Sequence, residues 1–211
     1  MASTELYEIA MRAEELRASS VIFFPFSLTF LLTSGYMVLH RLVVKDQSIL
    51  KLVFVSSFFF YVANVVRLVF FPLPINREYH ELVRLLIDGG VRGEARHNLF
   101  FFDFMKWDNL WHWTTVGNFF LLFPLGFYLP LMFKKHPWNI FKVIFSGFMV
   151  SLSIELAQFA YSLYVGYVFR SFDVDDLLFN TLGVLAAYLL FLFLRLFYWL
   201  FQKIRKVFRR I

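Results

Sequence analysis

Five long apolar runs separated by short clusters of charge dominate the chain, approximately Val21 to Leu39, Leu50 to Phe71, Thr114 to Phe133, Ile140 to Tyr164 and Leu177 to Leu200. A hydrocarbon core about 30 Å thick takes roughly 20 helical residues to cross. Inside it the backbone must satisfy its own hydrogen bonds. The pattern therefore predicts an all-α fold, a polytopic transmembrane bundle of about five helices. Ahead of the first run, Leu6, Ile9, Met11, Ala13 and Leu16 alternate with Glu and Arg, which predicts a short amphipathic helix at the membrane surface. In the long connection 72–113, Tyr79, Leu82, Val83 and Leu86 recur at helical spacing and stop at Asp88-Gly89-Gly90. Further on, Phe100, Phe101, Phe102, Phe104, Trp107, Trp111 and Trp113 favour the headgroup level. This loop is expected to lie on, or dip into, the interface.

Composition strengthens the membrane reading. Apolar residues make up 60% of the 211 and charged residues 17%, with 31 Phe, against about 45–50% and about 25% in ordinary globular domains. The runs leave no room for a second core, so residues 1–211 read as a single membrane domain. With no cysteine, disulfides, thiolate metal sites and thiol nucleophiles are excluded. The net charge of +6 sits at the ends of the apolar runs, which points to membrane lipids as partners and away from nucleic acid. Glu5, Glu8, Glu14 and Glu15 precede the first run in place of a basic signal-peptide region, so the first helix is expected to stay in the mature protein.

Orientation follows from Lys and Arg in the connections. Arg41, Lys45, Lys51, Lys134, Lys135, Lys142, Lys203, Arg205, Lys206, Arg209 and Arg210 are eleven on one side. Arg12, Arg17, Arg77, Arg84, Arg92, Arg96, Lys106 and Arg170 are eight on the other, over longer and more acidic segments. The positive-inside rule then predicts the N-terminus and the long loop outside and the C-terminus in the cytoplasm.

Chemistry concentrates in a few polar positions within the spans. Glu155 is flanked by Ser151, Gln158 and Ser162 at spacings that form one helix face, and an acid at that depth costs roughly 2.5–3.5 kcal/mol on insertion scales. It either serves function or glues helices together. Before the fifth span, Arg170 is followed by Asp173, Asp175 and Asp176, and Asp173, Asp176, Asn180 and Gly183 share one face. One aspartate is explained as a helix cap. Three leave open pairing with Arg170, a divalent cation held by Asp173, Asp175 and Asp176, or a proton-handling site. Arg67, with Asn64 one turn before it, either snorkels to the headgroups or pairs with Glu155 or an aspartate, and pairing is the expectation. Asn118 lies a turn and a half before Pro124, whose bend is expected to open space beside it. In the assigned topology all these groups fall in the outer half of the bilayer. The five histidines show no metal-ligand spacing, and no phosphate loop, serine elbow or cofactor motif occurs.

The stretch Gly117-Asn118 to Phe123-Pro124-Leu125-Gly126-Phe127, then Ser153-Ile154-Glu155-Leu156-Ala157-Gln158, then Arg170-Ser171-Phe172-Asp173-Val174-Asp175-Asp176 with Asn180-Thr181-Leu182-Gly183, resembles the VanZ-like membrane protein family in order and spacing. The resemblance covers about residues 114–194. It implies a multi-pass protein of the bacterial cell membrane that lowers susceptibility to teicoplanin-type lipoglycopeptides, without an established catalytic activity. It also implies that the family's polar positions fall on Asn118, Glu155, Gln158, Arg170, Asp173, Asp175, Asp176 and Asn180. With Arg67 these define the expected outward-facing polar pocket, for an amphiphilic or lipid-linked ligand such as a cell-wall precursor or the lipoglycopeptide. Two other classes stay open at this point: an enzyme acting on a lipid-phosphate or peptidoglycan-precursor group, and a small proton-coupled transporter or flippase.

Overall fold

A computed structural model describes residues 3–44, 48–93, 95–102 and 112–208. Of the residues used in the sequence reading, Lys45, Phe104, Lys106, Trp107, Trp111, Arg209 and Arg210 lie outside them. The elements in chain order are α1 (Ser3–Ser20), β1 (Val21–Ile22), α2 (Phe26–Val43), α3 (Ile49–Phe70), β2 (Leu73–Pro74), α4 (Arg77–Asp88), α5 (Trp113–Leu122), α6 (Leu125–Met132), α7 (Ile140–Val165) and α8 (Val174–Phe208). Five stretches are long and apolar enough to cross a membrane: α2, α3, α5 with α6, α7, and most of α8. The fold is all-α and polytopic, as the hydropathy pattern predicts. Only 11% to 33% of each apolar stretch is buried within the protein, so acyl chains must cover the rest.

Three boundaries differ from the sequence expectation. The first span begins at Phe26 because Pro25 caps it in an extended conformation and disfavours helix in the residue before it. Val21 and Ile22, read as the start of that span, instead pair antiparallel with Pro74 and Leu73. The third span breaks at Phe123-Pro124 into α5 and α6. The fifth begins at Val174, takes in Asp175 and Asp176, and runs for 35 residues. At 1.5 Å per residue that is about 50 Å, longer than the hydrocarbon core. Past Leu200 the helix continues on charged residues, with Lys203 Nζ 5.2 Å above the Trp199 ring.

The chain divides into two compact units, one comprising residues 1–99 and 154–172, the other residues 100–153 and 173–211. In the first unit, α2 packs on α3 and α1 on α4. The predicted N-terminal amphipathic helix thus does not lie alone at a surface. Ala13 and Leu16 bury against Tyr79, Val83 and Leu86 of α4, together with Val165 and Tyr167. Gly166 closes α7 at φ +78°, a left-handed cap that disfavours any side chain. In the second unit, α5 and α6 pack on α8. Two glycines set how closely: a Cβ on Gly183 would lie 1.9 Å from the Phe119 carbonyl oxygen, and one on Gly126 would lie 2.3 Å from that of Val184.

Candidate functional site

In the first unit, the C-terminal half of α7 turns its polar face inward. Glu155 is 2% exposed and Ser162 4% exposed. The Gln158 amide donates at 3.0 Å to the carbonyl of Val69, in the last turn of α3, where helix geometry leaves carbonyls without intrahelical partners. Ser162 Oγ donates to the Gln158 carbonyl at 3.1 Å and accepts the N–H groups of Phe169 at 3.1 Å and Arg170 at 3.3 Å. This folds the segment after Gly166 back onto the helix and sets Arg170 in place. Burial draws the Arg170 guanidinium below its usual basicity, and the charge of Glu155 opposes that shift.

Arg67 does not pair with an acid as expected. Its Nε donates to Asn64 Oδ1 at 3.2 Å, its guanidinium carbon sits 5.7 Å from the centroid of the Phe26 ring, and it forms no ion pair among the described residues. An amide one turn earlier and an aromatic face supply what a carboxylate was expected to supply. Asn64 in turn donates to Thr29 Oγ1 at 3.3 Å, tying α3 to α2.

The sequence reading missed two histidines in this unit. His80 is 6% exposed, with Nε2 3.1 Å from the Pro74 carbonyl and Nδ1 2.9 Å from the Tyr167 hydroxyl. The carbonyl can only accept, so Nε2 carries the proton and Nδ1 accepts from Tyr167. Tyr161 also donates to the Pro74 carbonyl. Burial lowers the His80 pKa, and burial raises that of Tyr167, so the ring stays neutral and the hydroxyl stays a donor. His97 Nδ1 accepts the Phe172 N–H at 2.9 Å, while Ser171 Oγ donates to the Arg96 carbonyl at 2.6 Å. Nothing in the spacing of these histidines signals such long-range partners.

The second unit holds the aspartate cluster. Asp173 Oδ1 accepts the Asp175 N–H at 2.8 Å and so caps α8. Asp175, 7% exposed, accepts the Phe102 N–H at 2.9 Å, where Phe102 adopts φ +65°. Asp176 accepts from the Asn118 amide. Each of the three thus takes a different donor. Among the described residues no group of three acids or histidines is placed to hold a metal ion. The Asn118 side chain faces Asp176, and Gly183 admits the α5 backbone next to it. Asn180, 1% exposed, donates to Ser151 Oγ at 3.0 Å, and its Oδ1 is buried without a partner among the described residues.

Of the nine predicted residues, Arg67, Glu155, Gln158 and Arg170 lie in the first unit, and Asn118, Asp173, Asp175, Asp176 and Asn180 in the second. Five helices long and apolar enough to cross a membrane, with buried carboxyl or amide side chains on α7 and α8, define a multi-pass membrane protein. A family model described as VanZ/LLP1 matches residues 58–197. The chain belongs to the VanZ/LLP1 family. No curated protein and no solved structure matches it.

Proposed function

We propose that this protein lowers the susceptibility of a bacterial cell to teicoplanin-type lipoglycopeptides by binding an amphiphilic or lipid-linked ligand at the polar side chains of its spans. In this reading the protein lies in the cell membrane with its N-terminus outside and its C-terminus in the cytoplasm, and it acts as a binder without bond chemistry of its own.

The observation that carries the reading is Glu155, an acid 2% exposed in the apolar helix α7. A carboxyl kept at that depth against an insertion cost of roughly 2.5–3.5 kcal/mol supports a role for its charge or its proton. The test is drug susceptibility of cells expressing Glu155→Gln or Asp176→Asn, read beside membrane abundance and thermal stability. Both changes keep shape and hydrogen-bonding capacity, and both remove an ionisable group from a span. The expected result is loss of protection at undiminished abundance. Full protection by both variants at equal abundance would make the acids structural and end the proposal.

A further inference from the structure

In the first unit, the end at which α2 begins and α3 and α7 finish carries a cavity of about 500 Å³. Arg17 from α1, Arg92 from the segment after α4, and Arg170 from the segment after α7 line it, with Glu14, Tyr79 and Phe23. Three cations from three separate segments thus line one volume whose lining holds a single acid, Glu14, while the charge of Glu155 also acts on Arg170. Glu14 Oε2 lies 3.6 Å from Arg17 Nη1, a loose and exposed pair. Arg92 and Arg170 form no ion pair among the described residues, although Arg170 is half-buried. Like charges gathered at one cavity repel one another, and an anion among them relieves that repulsion.

The level of the cavity narrows the choice of anion. Phe26, Phe70 and Val165 mark where three apolar helices of this unit begin or end, which is the depth of the lipid phosphates rather than of the acyl chains. Guanidinium forks match phosphate oxygens in pairs. The rings of Tyr79, buried, and Phe23, 67% exposed, add apolar wall beside the charge.

We propose that this cavity binds a phosphate group presented at the membrane surface. The inference deepens the proposed function by naming the ligand's charged group, and it rests on that reading only in sharing Arg170. Binding in vitro and susceptibility in cells fail independently, so the two ideas are separable.

The experiment uses the full chain in a non-ionic detergent and titrates short-chain phosphatidic acid, diacylglycerol with the same tails, and inorganic phosphate. Phosphatidic acid is expected to bind and diacylglycerol is not. Arg17→Gln and Arg92→Gln should each weaken binding by roughly tenfold, the usual size for one charge-assisted contact. Glu14→Gln should tighten it. Arg92→Lys, which keeps the charge and loses the fork, should fall between. All these side chains are exposed, so unchanged melting is expected, and the melting curves verify folding. Tighter binding of phosphatidic acid than of inorganic phosphate assigns the group to a membrane amphiphile. Equal binding assigns the site to free phosphate and overturns its membrane source. Equal binding of diacylglycerol, or arginine variants that bind like the parent, overturns the proposal altogether.

Discussion

The two units hold polar side chains among apolar helices by different means. In the unit built on α5, α6 and α8, side chain meets side chain across helices: Asn118 with Asp176, and Asn180 with Ser151. Gly183 and Gly126 let the backbones approach far enough for this. In the unit built on α1 to α4 and the end of α7, Asn64 meets Thr29 across α3 and α2, but most polar side chains serve backbone groups left over where helices stop. Gln158 takes the Val69 carbonyl, Ser162 the Phe169 and Arg170 amides, His80 the Pro74 carbonyl and His97 the Phe172 amide. Small residues at a crossing bring polar side chains together in pairs. Helix ends at the membrane surface need donors and acceptors, and the loops they fix present arginines to an open cavity.

The sharpest way to break this contrast is to fill the crossing. Gly183→Ala places a methyl 1.9 Å from the Phe119 carbonyl oxygen, a fixed backbone atom. Overpacking usually costs about 1–3 kcal/mol, and a clash with backbone belongs at or above the top of that range. Gly147→Ala is the internal comparison, because the three atoms nearest its Cβ would all belong to the Val184 side chain, at 3.0 to 3.3 Å. Thermal unfolding in detergent should therefore show a large loss for Gly183→Ala and a small one for Gly147→Ala. Equal melting of both variants would mean that close glycine packing does not hold this unit together.

The five spans, the helix over Tyr79 to Leu86 and its stop at Gly89-Gly90 were legible because hydropathy, helical period and glycine act locally. The buried face of Ser151, Glu155 and Ser162 was legible for the same reason: four-residue spacing determines a helix face wherever the helix packs. What spacing could not convey was the partner. Arg67 implied a missing anion, yet Asn64 and the Phe26 ring satisfy it. Three neighbouring aspartates implied shared chemistry, yet a cap, the Phe102 amide and Asn118 each take one. His80 and His97 gave no signal, since their partners lie 87, 6 and 75 residues away or are backbone atoms with no side-chain signature. The Val21–Ile22 ribbon was absorbed into the first span because β-branched apolar residues score as membrane sequence until the proline at 25 is weighed.

A smaller effect should come from pH in the first unit. His80 is held neutral by burial, with the Pro74 carbonyl favouring and Arg84 opposing its protonation. The groups around it are the ring of Tyr79, the hydroxyls of Tyr161 and Tyr167 and the charge of Arg84. Its folded pKa lies below the ordinary value of about 6.5. The unfolded chain therefore takes up the proton first as pH falls, and stability declines from about pH 6.5 downward until the folded protein is protonated too. Melting temperature of the parent should drop across that window by less than Gly183→Ala removes. His80→Asn should flatten the slope. An unchanged slope in that variant would place the pH sensitivity elsewhere.

The smallest effect tests what joins α1 to α4. Arg12 Nε lies 3.3 Å from Glu78 Oε1 across that contact, and Arg12 Nη1 lies 3.0 Å from Glu15 on its own helix. Hydrogen bonds to Glu15 and then Glu78 hold the guanidinium's pKa up. All three side chains are nonetheless half or more exposed to solvent, where water competes for the charges and salt screens them. Leu16 and Ala13, both under a tenth exposed, bury instead against Tyr79, Val83 and Leu86, so apolar contact is what the helices share. The double variant Arg12→Gln with Glu78→Gln should accordingly melt with the parent at physiological salt, and raising the salt should leave the parent unchanged. A clear drop in the double variant, matched by salt sensitivity in the parent, would show that the first unit too is held by side-chain pairs, and the contrast with the glycine-packed unit would lose its basis.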